Sequence, residues 1–333
     1  MATSADSYSA LVVHKQPDGK TSAAIEMLAR SALPPGDVTI RVAYSSLNYK
    51  DALSMRGHPG VTTAFPHVPG IDAAGSVVES DVEQFPVGAR VVITGFDFGS
   101  RRWGGYGELT RVPAAWLVPL PDGLTERDAM ALGTAGFTAA QCVMALEHEG
   151  VTPDHGKIVV TGSTGGVGSI ALALLAKLGY HVAAVTGKPA EHALLEQLGA
   201  KEILPREALH DASDKPLLKS LWAGAVDTVG GETLATLLRS MNQNGCVTAC
   251  GLVGGTALNV TVYPFILRGA RLIGIDSVSA STAERLEIWR RLSGPWKLDL
   301  TSVTREIGLT DVPAAAKELL AGRGVGRTVV RIA

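Results

Sequence analysis

The first third of the chain carries its hydrophobic residues in short runs whose length and composition are typical of β-strands. Glycine and proline residues separate these runs, as they do at turns between strands. The runs are SYSALVVH, DVTIRVAYSSL, AAGSVVES and ARVVITG. The pattern predicts an antiparallel, barrel-like domain at the start of the chain.

From about Leu132 the pattern changes to apolar strands that alternate with helical segments. The predicted strands are KIVVT, HVAAV, EILP, AGAVDTV, CVTACG and ARLIGIDSV. The predicted helices are SIALALLAKLG, AEHALLEQLG, KPLLKSL and GETLATLLRSM. This alternation is typical of an α/β fold with a doubly wound parallel sheet. The last run, GRTVVRIA, predicts a strand that returns to the first domain. We therefore assign residues 129–300 to the doubly wound domain and residues 1–128 and 301–333 to the other.

Composition narrows the classes of partner. Lys plus Arg is 30 and Asp plus Glu is 32, and the resulting net charge of -2 gives no reason to expect nucleic acid or an anionic membrane. The three cysteines, Cys142, Cys246 and Cys250, have no CxxC spacing and fit a reducing compartment. The N-terminal segment lacks the pattern of a secretory signal, and the apolar stretches are broken well short of a membrane span. We expect a cytoplasmic protein that binds neither nucleic acid nor a membrane.

A glycine-rich stretch, VVTGSTGGVGS, links the first strand and first helix of the doubly wound region. Glycine at 165 or 166 lets the backbone approach a pyrophosphate, and Gly168 lets the helix pack closely on the strand. Free N–H groups and the positive end of the helix then face the anion. The alternative is a tight turn with no ligand. The residues predicted to bind a dinucleotide here are Ser163, Thr164, Gly165, Gly166 and Val167.

The end of the second strand distinguishes NAD from NADP. An NAD site places an acidic residue there, but the sequence VTGKP contains none. Thr186, Gly187 and Lys188 supply a hydroxyl and a cation, and Arg206 after the third strand supplies a second cation. These groups suit a 2′-phosphate, so we predict NADPH as the cofactor. Both cations could instead be solvated surface residues.

At this point the chain resembles a known family. It is similar to the medium-chain dehydrogenase/reductase superfamily and, within it, to the acrylyl-CoA reductase family, which is quinone-oxidoreductase-like. The likeness covers nearly the whole chain, and LNYKD and the GTAGFTA run are its most specific parts. It is carried by SSLNYKDAL, FPHVPGIDAAGSV, WGGYGELTRV, LGTAGFTAAQCVMAL, VVTGSTGGVGS, VDTVGGETL, GCVTACGLVGG and PFILRGARLIGIDSV.

The resemblance implies a GroES-like, mostly β-barrel catalytic domain built from both chain ends, and a central Rossmann domain that binds NADPH. It implies an acyl-CoA substrate, with reduction of the C=C bond of acrylyl-CoA to propionyl-CoA. It also implies a homodimer in which the segment 270–278 is an edge strand that pairs with its partner. A buried strand within one chain would show the same apolar pattern.

The sequence argues against the zinc-dependent members of the superfamily. Where those members carry a cysteine and a His-Glu pair, this chain has Asn48, Tyr49, Ile71 and Asp72. All three cysteines lie beyond residue 140, whereas tetrahedral zinc needs about four nitrogen, sulfur or carboxylate ligands. We expect a zinc-independent enzyme with no metal.

Without zinc, hydrogen-bond donors must stabilise the enolate that forms when hydride adds to the β-carbon. The resemblance places LNYKD beside the nicotinamide, so Tyr49 is the first candidate donor and also a candidate cofactor contact. Asn48 is a second catalytic candidate, to orient the cofactor or the thioester, or else a turn residue. Asp51 is expected to cap the following helical turn, and solvent is an alternative proton source.

Two further stretches are expected to line the cofactor. Thr138 lies in GTAGFTA, which is predicted to precede the first Rossmann helix. The backbone of Cys250, Gly251 and Leu252 follows the fifth strand at the carboxyl edge, where ligands bind in such sheets. We expect Cys250 to be a small buried residue rather than a nucleophile, and Asp227 to hold a strand end.

The phosphates of CoA require cations, and the sequence does not choose among the candidates Arg56, His58, Arg101, Arg102 and Arg268. Two other functions fit the same residues. An NADPH quinone or α,β-unsaturated ketone reductase needs the same hydride, and a non-catalytic NADPH-binding protein keeps the fold without the chemistry.

Overall fold

The computed structural model describes residues 6–332. The chain forms two compact units. The terminal unit joins the chain up to Thr134 with the segment from Val278 onward, and the central unit spans Ala135–Ser277. The sequence predicts boundaries at 128 and 300, so residues 129–134 and 278–300 lie in the terminal unit instead of the predicted central one.

The strands in chain order are β1 (Ser7–Lys15), β2 (Thr21–Ala29), β3 (Val38–Ser46), β4 (Asp72–Ser80), β5 (Arg90–Thr94), β6 (Leu109–Val112), β7 (Val118–Pro119), β8 (Ile158–Val160), β9 (Val182–Thr186), β10 (Glu202–Pro205), β11 (Trp222–Asp227), β12 (Met241–Ala249), β13 (Arg271–Gly274), β14 (Thr304–Gly308) and β15 (Arg327–Arg331). The α-helices are α1 (Tyr49–Met55), α2 (Glu126–His148), α3 (Gly166–Lys177), α4 (His192–Gln197), α5 (Gly231–Arg239), α6 (Tyr263–Arg268), α7 (Thr282–Ser293) and α8 (Val312–Leu320).

The terminal unit is built mainly of antiparallel strands. Its 7-stranded sheet has the order β14-β15-β3-β4-β5-β7, with β6 also paired to β3, and β1 and β2 form a separate hairpin. Alternate residues of a strand face the same side, so Val38, Ile40 and Val42 of β3 point together into a buried core. β15 pairs antiparallel with β3, with Val329 opposite Ser46. This pairing confirms the predicted return of GRTVVRIA to the first domain.

Helix α7 belongs to the terminal unit because a buried arginine anchors it there. Arg285 is 2% exposed, and its guanidinium donates to the carbonyls of Thr94 and Val278. It also lies 4.2 Å from the ring centroid of Phe96. Removing a cation from water costs several kcal/mol unless such acceptors compensate. The strand–helix pattern of the sequence continues smoothly through 278–300 and gives no sign of this anchor.

The central unit contains a parallel sheet in the order β10-β9-β8-β11-β12-β13. All of its ladders are parallel, which confirms the predicted doubly wound, Rossmann-type sheet. The strand order reverses between β8 and β11. Ligands of such sheets bind outside the carboxyl ends of the strands beside this reversal, so the turn after β8 is where a dinucleotide is expected.

One predicted helix of the central unit is wrong. The segment KPLLKSL, residues 215–221, is irregular, with a bend at Pro216 and no helical turn. The N–H groups of Leu218 and Leu221 donate to the carbonyls of Arg239 and Ser240, at the end of α5. Pro216 has no N–H to contribute to a helix. These backbone N–H groups therefore bond to the end of α5 and not to carbonyls within a helix of their own.

Helix α2 is not among the helices that the sequence predicts, and it contains the GTAGFTA run, residues 133–139, ahead of α3 as expected. The helix changes direction at Gly133, whose φ of 53° and ψ of -154° are not helical. Among the described residues α2 is the one helix long and apolar enough to cross a membrane by length and composition, and 83% of its most apolar window is buried. Its apolar side chains therefore form protein core.

Candidate active site

The turn between β8 and α3 has the geometry of an anion-binding loop. Helix α3 begins at Gly166, directly after Gly165, and no described side chain caps its N-terminus. The N–H groups of the first helical turn have no partner inside the helix, and the helix dipole adds positive potential at the same end. The N–H of Gly165 donates to the carbonyl of Gly162 at 2.8 Å, so Gly166 and Val167 supply the open backbone donors at this turn and Gly165 supplies the close approach of a residue without a side chain.

Two other glycines of the motif are required by close packing. A Cβ atom on Gly168 would overlap the carbonyl oxygen of Gly162, and one on Gly162 would overlap the hydroxyl of Thr228. Gly162 also has a φ of 57°, which favours glycine. The close approach of α3 to the end of β8 therefore depends on Gly168, in agreement with the role predicted for it.

Ser163 and Thr164 occupy the same turn but make different contacts. Ser163 is buried, its N–H donates to the carbonyl of Val185, and its hydroxyl donates to the carbonyl of Val160 at 2.7 Å. Both of its donors are used inside the protein, so Ser163 joins the ends of β8 and β9 and offers no hydrogen bond to a phosphate. Thr164 Oγ1 lies 3.4 Å from Thr186 Oγ1, beside the end of β9.

The carboxyl ends of β9 and β10 place two cations side by side. Thr186 lies opposite Pro205 in the parallel ladder, so Lys188 and Arg206 follow at the same level. A Cβ atom on Gly187 would overlap the guanidinium of Arg206, which therefore rests against the Gly187 backbone. The Thr186 hydroxyl accepts the N–H of Lys188 at 3.0 Å. All the residues predicted to recognise a 2′-phosphate are thus brought together.

The electrostatics of this cluster favour an anionic ligand. Burial lowers the pKa of Lys188, and the positive charge of Arg206 lowers it further, while Glu191 opposes both effects. Arg206 is exposed, and its guanidinium forms no hydrogen bond or ion pair within residues 6–332. Because two like charges this close repel each other, a phosphate between them is stabilised by both.

The loop after β12 is tied to the end of β11 by Asp227. This buried carboxylate accepts hydrogen bonds from the Thr161 hydroxyl at 2.7 Å and from the N–H of Gly230 at 2.8 Å. Its own carbonyl accepts the N–H of Cys250. Asp227 therefore holds the strand ends, as predicted, and fixes the backbone on which Gly251 follows.

The predicted cofactor residues of this loop and of α2 differ in exposure. A hydrogen bond with Cys142, together with burial, raises the pKa of the Cys250 thiol, which agrees with the expectation that it is not a nucleophile. A Cβ atom on Gly251 would overlap the carbonyl oxygen of Thr228, the residue that follows β11. Leu252 is 62% exposed, whereas Thr138 in α2 is buried. Residues 250–252 therefore expose backbone groups and an apolar side chain at the edge of the sheet where a cofactor is expected.

In the terminal unit, Tyr49 is the first residue of α1. Its side chain is 40% exposed, and its hydroxyl has no hydrogen-bond partner in the described part of the chain. The Asp51 carboxylate accepts the N–H of Asn48 at 2.8 Å and thereby caps the helix, as predicted. It also accepts the N–H groups of Gly70 and Ile71 at 3.1 and 2.8 Å. These hydrogen bonds fix the backbone at the start of α1, which carries the phenol of Tyr49.

The side chain of Asn48 is committed to internal partners. Its Nδ2 donates to Asp72 Oδ2 at 2.8 Å and to Ser46 Oγ at 3.1 Å, and its Oδ1 accepts from Arg327 Nη1 at 3.2 Å. A side-chain amide has two N–H donors, so none remains for a cofactor or substrate. Both amide N–H groups of Asn48 are thus committed beside Tyr49, and its predicted catalytic role stays a prediction.

Asp72 is the centre of a buried network that the sequence does not predict. Its carboxylate accepts from Ser46 Oγ at 2.5 Å and from the hydroxyl and N–H of Thr134 at 2.5 and 2.9 Å. A Cβ atom on Gly133 would overlap Asp72 Oδ2 and lie 2.9 Å from Arg327 Nη2. The change of direction in α2 is therefore fixed by contacts that only glycine permits.

Arg327 closes the same network. Burial lowers its pKa, while the negative charges of Asp72 and Asp51 oppose that shift. Its Nε donates to the carbonyl of Ala131 at 2.8 Å. Burial and the charge of Asp72 raise the pKa of Asp51 to about 7, although its N–H donors oppose the shift. One buried cation thus faces two carboxyl groups, and one of these, Asp51, exchanges its proton near neutral pH.

A signal for this network was present in the sequence. Asp72 stands in PGIDAAG among small apolar residues, and Arg327 directly precedes the apolar run of GRTVVRIA. A charge in such a setting is buried and needs a partner. The sequence gives no means of pairing two segments so far apart along the chain.

Two family descriptions match the chain. "Alcohol dehydrogenase GroES-like domain" matches residues 34–122, and "Zinc-binding dehydrogenase" matches residues 166–293. Within residues 6–332 no group of three or more His, Cys, Asp or Glu side chains is arranged to hold a metal ion. With the parallel sheet and the glycine turn, these matches define the class as oxidoreductases with a GroES-like domain and a dinucleotide-binding domain.

Close relatives narrow the class. "Acrylyl-CoA reductase AcuI" of Ruegeria pomeroyi is 48% identical over 327 residues, which cover 98% of this chain and 99% of the relative. The crystal structure of the yhdH oxidoreductase from Salmonella enterica in complex with NADP has a TM-score of 0.93 at 50% identity, covering 98% of this chain and 100% of the other. The chain therefore belongs to the acrylyl-CoA reductase family of the medium-chain dehydrogenase/reductase superfamily.

A third relative is Bacillus subtilis YhfP. It is described as a putative quinone oxidoreductase and is 44% identical over 98% of this chain and 99% of its own. Its crystal structure with NAD bound has a TM-score of 0.94 at 43% identity, with 98% of this chain and 99% of the other covered. Relatives of comparable identity thus carry two different nicotinamide cofactors and two different descriptions.

The buried Asp51 makes stability depend on pH. Its pKa of about 7 in the folded protein lies above its ordinary value of 3.8, so folding takes up a proton between these pH values. The stability that Asp51 contributes is complete below about pH 4 and is lost as pH rises through 7. The free energy of unfolding should therefore fall between pH 4 and pH 7. In the Asp51→Asn variant this fall should be smaller by at least about 1 kcal/mol, as measured by urea unfolding.

The control for this measurement is Asp18→Asn, which removes an exposed carboxylate paired with Lys20. Its pH profile should follow that of the unmodified protein. Parallel profiles for the Asp51→Asn variant and the unmodified protein would contradict the assignment of this proton to Asp51.

Proposed function

We propose that this chain is a cytoplasmic, NADPH-dependent reductase that reduces the C=C bond of acrylyl-CoA to give propionyl-CoA, without a metal. The observation that carries the proposal is the 48% identity to acrylyl-CoA reductase AcuI across nearly the full length of both chains. The free thiols of Cys142, Cys246 and Cys250 fit a reducing compartment. The glycine turn of the central unit fits binding of the hydride donor, and Tyr49 of the terminal unit fits stabilisation of the charge that hydride transfer creates.

The residues present fit NADPH. Its pyrophosphate would be held by the backbone donors of Gly166 and Val167 at the start of α3, where Gly165 lets it approach the backbone. Its 2′-phosphate would be held by Lys188 and Arg206, with Thr164 and Thr186 adjoining through their hydroxyls. The backbone of residues 250–252 and the hydroxyl of Thr138 are proposed to contact the nicotinamide end. When bound, NADPH supplies the hydride for the β-carbon of the thioester.

The proposed task of the terminal unit is to stabilise the charge that the hydride creates. As the β-carbon gains hydride, negative charge develops on the thioester oxygen. The exposed Tyr49 hydroxyl, which has no partner within the described residues, is proposed to donate a hydrogen bond to that oxygen and to contact the cofactor. Asn48 and Asp51 would keep the phenol in place through the capped start of α1. Solvent can then protonate the α-carbon.

A quinone or α,β-unsaturated ketone reductase is the second candidate function. It is favoured by the 44% identity to the putative quinone oxidoreductase YhfP. The chemistry at Tyr49 would be the same, because a quinone or ketone oxygen also gains negative charge when hydride is added. The two functions differ in whether the acceptor carries CoA.

The first test follows loss of NADPH absorbance with acrylyl-CoA, crotonyl-CoA and a simple quinone. We expect turnover with acrylyl-CoA to exceed that with quinone, and Tyr49→Phe to lower kcat about 100-fold because one donor to the developing oxyanion is lost. NADPH affinity should stay within about threefold. The control is Tyr44→Phe, which removes the hydroxyl of a tyrosine on β3. Turnover with quinone alone would move the function to the second candidate, and an unchanged kcat would remove Tyr49 from its role.

The second test concerns cofactor choice. We expect Arg206→Gln to raise KM for NADPH about tenfold, equivalent to roughly 1.4 kcal/mol of lost phosphate binding, and to leave KM for NADH unchanged. Lys201→Gln is the control, because it removes an exposed cation on the N-terminal side of β10. An equal rise in KM for both cofactors would show that Arg206 supports the loop and does not read the 2′-phosphate.

We also infer a homodimer that forms through the edge of the central unit. β13 has a neighbouring strand on one side only in the described sheet, and an open edge can pair with another chain. Helix α6, which immediately precedes β13, exposes an unusual amount of apolar surface. The exposed residues are Val262, Tyr263, Ile266 and Leu267. A second copy of the chain is the occupant that the family resemblance implies.

The dimer is tested by sedimentation equilibrium of the full chain. Ile266 is 68% exposed, and we expect Ile266→Glu to raise the dissociation constant at least about tenfold by placing a charge in an apolar contact. Met27 on β2 is a matched control, since it is 66% exposed, and Met27→Glu should leave association unchanged. A monomeric unmodified chain, or equal effects of the two variants, would contradict the proposed surface.

A further inference from the structure

The structure separates the basic residues that are candidates for binding CoA phosphates. Arg268 donates to three backbone carbonyls of the central unit and is therefore a structural residue. Arg102 donates to the carbonyl of Pro35 and lies 5.2 Å from the ring centroid of Trp116. Both guanidinium groups therefore already have partners within the protein, and neither is a free cation for a phosphate. The candidates that remain are Arg56, His58 and Arg101.

Arg56 is unusual among the arginines of this protein. Within the described residues every arginine side chain except those of Arg41, Arg56 and Arg206 forms a hydrogen bond or an ion pair. Arg206 lies at the proposed 2′-phosphate site, and Arg41 lies on β3. Arg56 is exposed and follows the last residue of α1. Its charge is thus available to an external anion.

The position of Arg56 relates it to Tyr49. The two residues are seven positions apart, so they lie on the same face of α1, about 10 Å apart along its axis. Leu53, between them on this face, is half-buried. In an acyl-CoA about thirteen bonds separate the thioester sulfur from the first phosphorus, which corresponds to roughly 15 Å in an extended chain. With its thioester at Tyr49, a CoA molecule that follows α1 brings its phosphates within reach of the Arg56 side chain.

A second cation is held next to this helix end. Ser54 of α1 hydrogen-bonds to Thr62 through their hydroxyls at 2.7 Å, and Thr62 Oγ1 donates to the carbonyl of Ser100 at 3.0 Å. Arg101 follows Ser100, and its side chain is 70% exposed. Its one ion-pair contact is with Asp97, at the limiting distance of 4.0 Å. The loop that carries Arg101 is therefore fixed beside Arg56.

We propose that Arg56, assisted by Arg101, binds the phosphate groups of the CoA moiety of the substrate. This inference rests on the proposed function, since it assumes an acyl-CoA whose thioester lies at Tyr49. An arginine at the end of a helix can also stabilise the helix through its dipole. The two roles differ in one respect: only phosphate binding requires that the substrate carry phosphates.

The experiment compares acrylyl-CoA with acrylyl-pantetheine, which has the same thioester and arm but no phosphate. We expect Arg56→Gln to raise KM for acrylyl-CoA about tenfold, to leave kcat unchanged and to leave KM for acrylyl-pantetheine unchanged. Arg101→Gln should raise KM for acrylyl-CoA about threefold, because Asp97 already competes for its charge. Arg41→Gln removes another exposed arginine of the terminal unit that lacks a partner and should match the unmodified enzyme with both substrates.

The proposal is overturned if Arg56→Gln changes KM for both thioesters equally or changes neither. If the unmodified protein reduces neither thioester, the proposed function fails, and the affinity for CoA itself, measured by titration calorimetry, tests the site directly. A dissociation constant for CoA about tenfold weaker in Arg56→Gln than in Arg41→Gln would then support the phosphate site. Equal affinities, or no binding of CoA by the unmodified protein, would overturn it.

Discussion

The terminal unit depends on the burial of one carboxylate, that of Asp72. A buried charge is tolerated only when it is paired and hydrogen-bonded, and the partners of Asp72 come from three separate parts of the chain. Ser46 ends β3, Asn48 precedes α1, Thr134 lies in α2, and Arg327, which approaches through Asn48 and Gly133, begins β15. Removing one partner of such a network leaves a charge uncompensated, at a cost of about 3–5 kcal/mol. The network thereby fixes the start of the helix that carries Tyr49.

The protein treats charge differently in its two kinds of site. Around Asp72 the described hydroxyl and amide donors bond inside the protein, which makes the region rigid. At the ends of β9 and β10, by contrast, Arg206 forms no hydrogen bond or ion pair within the described residues and lies beside a second cation, Lys188. Polar groups that bond to one another mark a structural network, and a cation without an internal partner at a strand end marks a place for an anion. By this criterion the side chain of Asn48 belongs to the network beside Tyr49, while its predicted catalytic role stays a prediction.

What the sequence predicts well is what depends on neighbouring residues. The strand–glycine turn–helix unit, the cap formed by Asp51 and the cluster at Thr186, Gly187 and Lys188 are all defined by short spacing, and the structure places them as predicted. What it does not predict depends on distant partners. The irregular segment 215–221 is hydrogen-bonded to the end of α5, and α7 joins the terminal unit through Arg285. The non-helical angles of Gly133 in α2 follow from Asp72 and Arg327. No local pattern contains that information.

The arginines without internal partners also bear on how a small substrate is selected. An acryloyl group offers few atoms for recognition, and a pocket discriminates single carbon atoms by only about 1–3 kcal/mol. Binding energy from a remote part of the substrate can be used to position the reacting atoms. NADPH and an acyl-CoA both carry phosphates far from the atoms that react. Exposed arginines at 206 and 56 would therefore let the protein hold both reactants by their distant ends, while Tyr49 need only supply a neutral hydrogen bond where charge develops.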